Sequence, residues 1–309
     1  MKPRVVSLLP SATEIICALG CSDQLVGRSH ECDYPESVQR IPVCTAPKIN
    51  PDASSAEIDR QIKNHLHQAL SLYAVDVEKI RELKPDIIFT QAQCEVCAVS
   101  EVELQKALNE ATGLRPRIVS FSPKRLADVW SDMANAAKEL GTDEHGRSVI
   151  KELKMRVVDV IEKTCLMTRR PTVGCIEWLD PLMAAGNWVP ELVDFAGGKN
   201  VFGEAGQHSP WLQWEELTQK NPDKLVLMPC GFDMPRIRRE LSVLERHPAW
   251  AKLRAVKSGN VFVADGNHYF NRPGPRLVES LEILAEICHS DTFDFGHRNR
   301  GWIPLPSGK

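Results

Sequence analysis

One stretch of this 309-residue chain is written twice, and the repetition narrows the folds open to it. Lys79-Ile80-Arg81-Glu82-Leu83-Lys84-Pro85-Asp86-Ile87-Ile88-Phe89 resembles Glu216-Leu217-Thr218-Gln219-Lys220-Asn221-Pro222-Asp223-Lys224-Leu225-Val226-Leu227. Each reads as a helix end, a Pro-Asp turn and a short apolar strand of the kind buried on both faces in a parallel sheet. Each strand then delivers a cysteine, Cys94 in the first case and Cys230 in the second. Two strands entered in the same way, far apart in the chain, point to two α/β lobes.

Between them lies a run with helical spacing. Thr142 is a fitting N-cap, and Val149, Leu153, Val157, Val160 and Ile161 keep one apolar face through residue 164. About two dozen helical residues span over 30 Å at ~1.5 Å each, enough to join two lobes. The predicted division is residues 1–122 as the first α/β lobe, 123–168 as connecting and bridging helices, 169–290 as the second lobe, and 291–309 as a tail. The tail is polar and contains Pro and Gly, and is expected to be loosely docked or disordered.

Within the first lobe, strands are predicted at residues 5–9, 25–27, 87–90 and 117–121. Ser11 and Glu14 have capping-box spacing, so Ser11 is expected to cap a helix ending near Gly20. Residues 36–56 look irregular, and helices are predicted at 56–72, 77–83 and 101–111; the first connecting helix is predicted at 124–140. The second lobe reads as strands at 171–177, 225–228 and 261–264, with helices near 189–196, 234–244 and 275–288. Gly197-Gly198 reads as a helix C-cap.

Charge and targeting signals bound the function. A formal net charge of -3 and pI near 6.3 give no basic patch for nucleic acid. The arginines within 236–239 are expected on a solvated helix face. No stretch approaches the ~18 apolar residues of a membrane span. Lys2 and Arg4 precede a short apolar run interrupted by Pro10, which reads as a strand and not as an export signal. Ten scattered cysteines suit reduced thiols, so a cytoplasmic protein is expected, and a monomer. No glycine-rich nucleotide loop, nucleophile elbow or His-Glu-x-x-His occurs, so no enzyme is predicted.

Ligands of open parallel sheets bind outside the carboxyl ends of the strands. There the first lobe offers Ser11, His30, Glu31, Cys32, Cys94 and Cys97. The second offers Glu177, Trp178, Asn187, Trp188, His208, Trp211, Phe232, His268 and Tyr269. Indole and phenol rings give large rigid contact area with one polar handle, which suits a big, flat, partly polar ligand. Glu177 reads as a hydrogen-bonding contact before a catalytic acid. His30, Cys32, Cys94 and Cys97 could form a Cys3His set for a soft or zinc-like ion. Buried free thiols and a redox dithiol are the other readings of the same residues.

The chain resembles the helical-backbone class of ABC-transporter solute-binding proteins, which includes vitamin B12- and iron-siderophore-binding members. The resemblance covers roughly residues 3–290. It is carried by Val5-Val6-Ser7-Leu8-Leu9-Pro10-Ser11-Ala12-Thr13-Glu14, both Pro-Asp entries, Ala196-Gly197-Gly198-Lys199-Asn200-Val201 and Arg272-Pro273-Gly274-Pro275-Arg276. His30-Glu31-Cys32-Asp33 and Gln93-Cys94-Glu95-Val96-Cys97 look like motifs of a signal-less, cobalamin-binding-like subgroup. The resemblance implies two Rossmann-like lobes with parallel sheets, a bridging helix and a ligand cleft between the lobes. It also implies a cobalamin, corrinoid or related metal-chelate ligand, and an ABC permease as partner. Exported members carry a signal or lipid anchor, which is not read here. A bare-ion binder using the Cys/His cluster and a thiol-dependent enzyme are the alternative functions.

Overall fold

Both Pro-Asp strands form, and each lies in its own sheet. The computed structural model describes residues 2–67, 73–91 and 115–306. The chain divides into two compact units. The first holds Met1–Ala53, Glu57–Pro123 and Ala127–Glu152, and the second holds Ser54–Ala56, Lys124–Leu126 and Leu153–Lys309.

From the N-terminus the elements are β1 (Val5–Ser7), α1 (Pro10–Ala18), β2 (Leu25–Arg28), β3 (Thr45–Pro47), α2 (Ser55–His67), β4 (Tyr73–Val75), α3 (Val77–Leu83), β5 (Ile87–Gln91), β6 (Arg117–Phe121), α4 (Leu126–Glu139) and α5 (Asp143–Thr164). The first sheet has the order β2-β1-β5-β6, with every neighbouring pair parallel. Its centre is apolar because Val6 and Ile88 are buried together with Cys44 and Ile80, against Leu8, Val26 and Leu83. Gly27 is required in β2, where a Cβ would lie 2.7 Å from Cys44 Sγ and 2.8 Å from Leu83. The β3–β4 pair is antiparallel and falls partly in the segment expected to be irregular. Its strands of three residues are too short to show an alternation.

Helix α5 has 22 residues, the length predicted for the joining helix, and at ~1.5 Å per residue it spans about 33 Å. It belongs to the first unit as far as Glu152 and to the second from Leu153. The second unit continues with β7 (Thr172–Trp178), β8 (Met183–Ala184), α6 (Val189–Phe195), β9 (Lys199–Asn200), α7 (Trp214–Lys220), β10 (Lys224–Leu227), α8 (Met234–Glu240), β11 (Val261–Ala264), α9 (Leu277–Cys288) and β12 (Trp302–Pro304). Its sheet has the order β12-β11-β10-β7-β8, and β9 also pairs with β7. The β7–β9, β7–β10 and β10–β11 pairs are parallel, whereas β8 and β12 run antiparallel to their neighbours. Gly197 stands just past α6 with φ 74°, as the C-cap reading requires.

The repeated motif is built the same way twice. Helices α3 and α7 each have seven residues and end on a left-handed residue, Lys84 with φ 46° and Asn221 with φ 43°. The aspartate after each proline then clamps the start of the neighbouring parallel strand. Asp86 Oδ2 accepts the N–H of Arg4 at 2.8 Å, just before β1. Asp223 Oδ2 accepts the N–H and hydroxyl of Thr172 at 2.9 and 2.8 Å, at the start of β7.

The Thr172 hydrogen bond and the Arg254 ion pair hold the Asp223 carboxyl at a pKa of about 2, below its ordinary value. Because the folded pKa is depressed, this carboxylate stabilises the fold above the unfolded pKa. The contribution is lost as pH falls from about 4 to about 2. Asp223→Asn is therefore expected to melt below the wild type at pH 6, with the difference shrinking towards pH 2. Thermal melts across that range check it, and a difference that does not narrow counts against the clamp.

Three expectations are corrected. Ser11 does not cap α1. Helix α1 begins one residue earlier at Pro10, whose fixed φ suits the first turn, and its N-cap Leu9 has no side-chain bond. The tail is not loose: Trp302 is buried and β12 pairs with β11 as Phe262↔Pro304, Val263↔Ile303 and Ala264↔Trp302. Helix α9 draws the tail in through two buried carboxylates, Glu282 and Glu286, which accept from His297 and Trp302. The 236–239 run is only partly solvated, since Arg236 lies 3.7 Å over the Phe232 ring.

Candidate functional site

In the first unit, the carboxyl end of β2 leads into Ser29, His30 and Glu31. Thr45, at the start of β3, organises this turn with one hydroxyl. Thr45 Oγ1 accepts the backbone N–H of His30 at 3.0 Å and lies 2.7 Å from His30 Nδ1 and 2.9 Å from Ser29 Oγ. The His30 ring sits 5.2 Å from the Tyr73 ring at 55°, and the Tyr73 hydroxyl donates to Glu31 Oε1 at 3.0 Å. Burial holds the His30 imidazole below its ordinary pKa, so the neutral ring is favoured.

The proposed thiolate set is divided differently. Cys32 is buried and its Sγ accepts from Thr13 Oγ1 at 3.0 Å, inside the lobe. Ser11 is buried as well. Cys94 and Cys97, and with them the predicted helix at 101–111, lie outside the described residues. Among the described residues no group of three or more His, Cys, Asp and Glu side chains is placed to hold a metal ion.

In the second unit, Glu177, next to last in β7, accepts the Ser209 hydroxyl on both oxygens, at 3.0 and 3.1 Å. Ser209 in turn accepts the N–H of Gly186 at 3.1 Å. Burial pushes the Glu177 carboxyl up to about 7, since one hydroxyl offsets little of the lost hydration. Two residues on, Trp211 is 52% exposed. Its backbone is nevertheless fixed by a bridge to Met183 and by the flanking bonds Ala184 N–H to Pro210 O and Leu212 N–H to Leu182 O. His208 is exposed beside it, its Nδ1 2.9 Å from the Ser209 carbonyl. Asn187 adopts φ 51°, and its backbone closes the turn onto Gly206 and Gln207.

The remaining aromatic residues separate by burial. Trp188 is not a ligand wall: it is 5% exposed and its Nε1 donates to the Phe270 carbonyl at 2.9 Å. Phe232 is likewise a core residue, 5.2 Å from the buried Trp178 ring. The Trp178 Nε1 donates to the carbonyl of Ser55 at 3.2 Å. His268 and Tyr269 lie in the wide turn Gly266–Phe270, where Asp265 accepts the His268 N–H and sits 2.8 Å from its Nδ1. Tyr73, Thr45, Ser209 and Asp265 were not singled out from the sequence. Each is an ordinary polar residue whose part depends on a partner that no local pattern announces, except Asp265, whose i+3 spacing to His268 is a turn signal.

These groups can hold a ligand by hydrogen bonds and ring contact. Burial pushes Cys17 and Cys44 up to about 11 and Cys288 up to about 12, so these thiols stay protonated at neutral pH.

Residues 5–267 match the periplasmic binding protein family, and the chain belongs to it. It is a solute-binding protein and not an enzyme, built as two α/β lobes with parallel sheets joined by a long helix. It is 24% identical over 94% of its length to an ABC transporter substrate-binding lipoprotein of Bacillus subtilis, 81% of which is covered. It is 25% identical to a vitamin B12-binding protein of Vibrio cholerae over 92% of this chain and 87% of that one. Among solved structures, a periplasmic heme-binding protein from Pseudomonas aeruginosa superposes with TM-score 0.70 at 19% identity, covering 99% and 96% of the two chains. The periplasmic vitamin B12-binding protein of Vibrio cholerae superposes with TM-score 0.66 at 20% identity, covering 94% and 97%.

Proposed function

We propose that this protein binds a flat metal chelate, a corrinoid or a closely related tetrapyrrole, and serves as the solute-binding component of an ABC transporter. The observation that carries the reading is Trp211, a large indole held out from a rigid backbone beside the Glu177–Ser209 pair at the end of β7. A half-exposed indole on a hydrogen-bonded backbone offers large rigid contact area to a flat partner. The two ligand names among the relatives, vitamin B12 and heme, describe molecules of this shape. The Bacillus subtilis relative, an ABC transporter substrate-binding lipoprotein, supports the transporter partnership.

Titration with hydroxocobalamin and with hemin tests the reading. Either chelate is expected to quench tryptophan emission at one equivalent per chain and to co-elute with the protein. Trp211→Ala is expected to weaken that binding about 10-fold, since an anchoring aromatic contact contributes on the order of 1–2 kcal/mol. Failure of both chelates to bind the wild type would reject the reading. An unchanged affinity in Trp211→Ala would remove the indole from the site.

A further inference from the structure

The loop that carries Trp211 is gripped from two sides, and one grip comes from a distant part of the sequence. Residues 201–213 join β9 to α7 without a helix or strand of their own. On one side the loop leans on the turn after β8. Gly206 N–H donates to the Asn187 carbonyl at 2.8 Å, and Asn187 N–H donates to the Gln207 carbonyl at 2.6 Å. Ser209 Oγ accepts the N–H of Gly186 at 3.1 Å. These bonds fix the backbone from Gly206 onwards.

On the other side stands Arg125. Residues 124–126 belong to the second unit, as the loop does. Arg125 Nη2 donates to the Ala205 carbonyl at 2.7 Å, a charge-assisted bond across 80 residues of sequence. The next residue packs against the same group. Gly206 has φ 83°, and a Cβ there would lie 2.7 Å from Arg125 Nε and 3.3 Å from Cζ. Glycine therefore serves twice, taking the left-handed conformation and admitting the flat guanidinium. The arginine is itself aimed by Glu191, in the first turn of α6. Glu191 Oε1 accepts the N–H of Leu126 at 2.5 Å, and Oε2 stands 3.8 Å from Arg125 Nη1. One carboxylate thus fixes the backbone beside Arg125 and attracts its head group.

We propose that Arg125, backed by Glu191, is a positioning residue for the chelate site. It holds the Ala205–Gly206 bend so that Trp211 stands in its binding arrangement before the ligand arrives. The proposal rests on the chelate-binding reading above. A loop already in its bound shape spends less on ordering when the ligand binds. Released at Ala205, the loop gains conformations that turn the indole away, and only the competent fraction binds.

Equilibrium dialysis of hydroxocobalamin and of hemin, read by the chelate's own absorbance, provides the test. Arg125→Ala is expected to bind about 5-fold more weakly, the scale of one partly solvated charge-assisted hydrogen bond. Its thermal transition is expected to stay near that of the wild type, because the side chain is half-exposed. Arg125→Lys keeps the charge without the flat fork and is expected to bind like the alanine variant. Millimolar guanidinium is expected to restore affinity to Arg125→Ala. In a Trp211→Ala background, Arg125→Ala is expected to add less than about a 2-fold loss, because no indole is left to position. In the unliganded Arg125→Ala protein, the Gly206 and Gln207 amides are expected to exchange with deuterium several-fold faster. Equal affinity in Arg125→Ala and wild type, or fully additive losses with Trp211→Ala, would overturn the positioning role while leaving chelate binding intact. No binding of either chelate to the wild type would reject the chelate-binding reading, and this proposal with it.

Discussion

Replacing Glu286 with alanine is expected to destabilise the second lobe by about 3–4 kcal/mol, from donors at about 1–3 kcal/mol each with partial relief by water. The carboxylate is 2% exposed and accepts three hydrogen bonds from the tail. These come from the N–H of Phe295 at 2.6 Å, the N–H of His297 at 3.1 Å and Trp302 Nε1 at 2.5 Å. Alanine leaves all three donors without an acceptor in a site built to exclude water. The adjacent carboxylate cannot compensate, because Glu282 is already held by His297 Nε2 at 2.9 Å and by the Arg156 fork at 2.8–3.0 Å. The least costly relief is for the tail to peel away, taking β12 off the edge of β11 and uncovering Phe262, whose ring packs 5.6 Å from Trp302. Thermal melting reads the effect. At about 2–4 °C per kcal/mol for a lobe of this size, the transition should fall by roughly 10 °C. Trp302 emission should move to the red as the indole meets water. Glu286→Gln keeps one acceptor oxygen and is expected to fall between the two. A loss under about 1 kcal/mol in the alanine variant would show that the tail does not depend on this carboxylate.

Gly266→Ala should be nearly as damaging, for a steric reason. A Cβ there would lie 2.1 Å from the Pro229 carbonyl oxygen and 2.6 Å from that of Met228. Both obstacles are backbone, so no side-chain rotation relieves them. The turn that would have to move is tied down on several sides. Asn267 N–H bonds to the Phe232 carbonyl, Asn271 Nδ2 bonds to the Gly266 and Met228 carbonyls, and Trp188 Nε1 bonds to the Phe270 carbonyl. A cost of about 2–3 kcal/mol is expected, in the range of overpacking a rigid interior. Gly231→Ala is the control. Its φ of 74° is left-handed, but a Cβ there meets nothing within 4 Å, so only the backbone term of about 1 kcal/mol applies. Urea midpoints of the two variants should fall in that order, and the reverse order would refute the steric account. Because the turn carries His268 and Tyr269, Gly266→Ala should also weaken ligand binding if those residues take part.

The apolar runs and the Pro-Asp entries determined by themselves that strands would form at β5, β6, β10 and β11 and that a helix of some two dozen residues would join two lobes. These are local signals, in which the period of the hydrophobic pattern and the turn chemistry both act within a few residues. Even the double left-handed cap was implicit in the repeated motif, though its purpose, an aspartate gripping the next strand, needed both strands in place. The tertiary structure alone decided which side chains face water. Trp188 and Trp211 look alike in sequence, but one indole is spent on the Phe270 carbonyl and the other stands half-exposed. The tail looked unstructured because its anchors, Glu282 and Glu286, lie 9–16 residues upstream in a helix whose own pattern hides them. His30 was visible as a residue type, but its orientation depends on Thr45 and Tyr73, 15 and 43 residues away. Exposure, ring orientation and the satisfaction of buried carboxylates are properties of partners brought together by folding, and no local pattern encodes them.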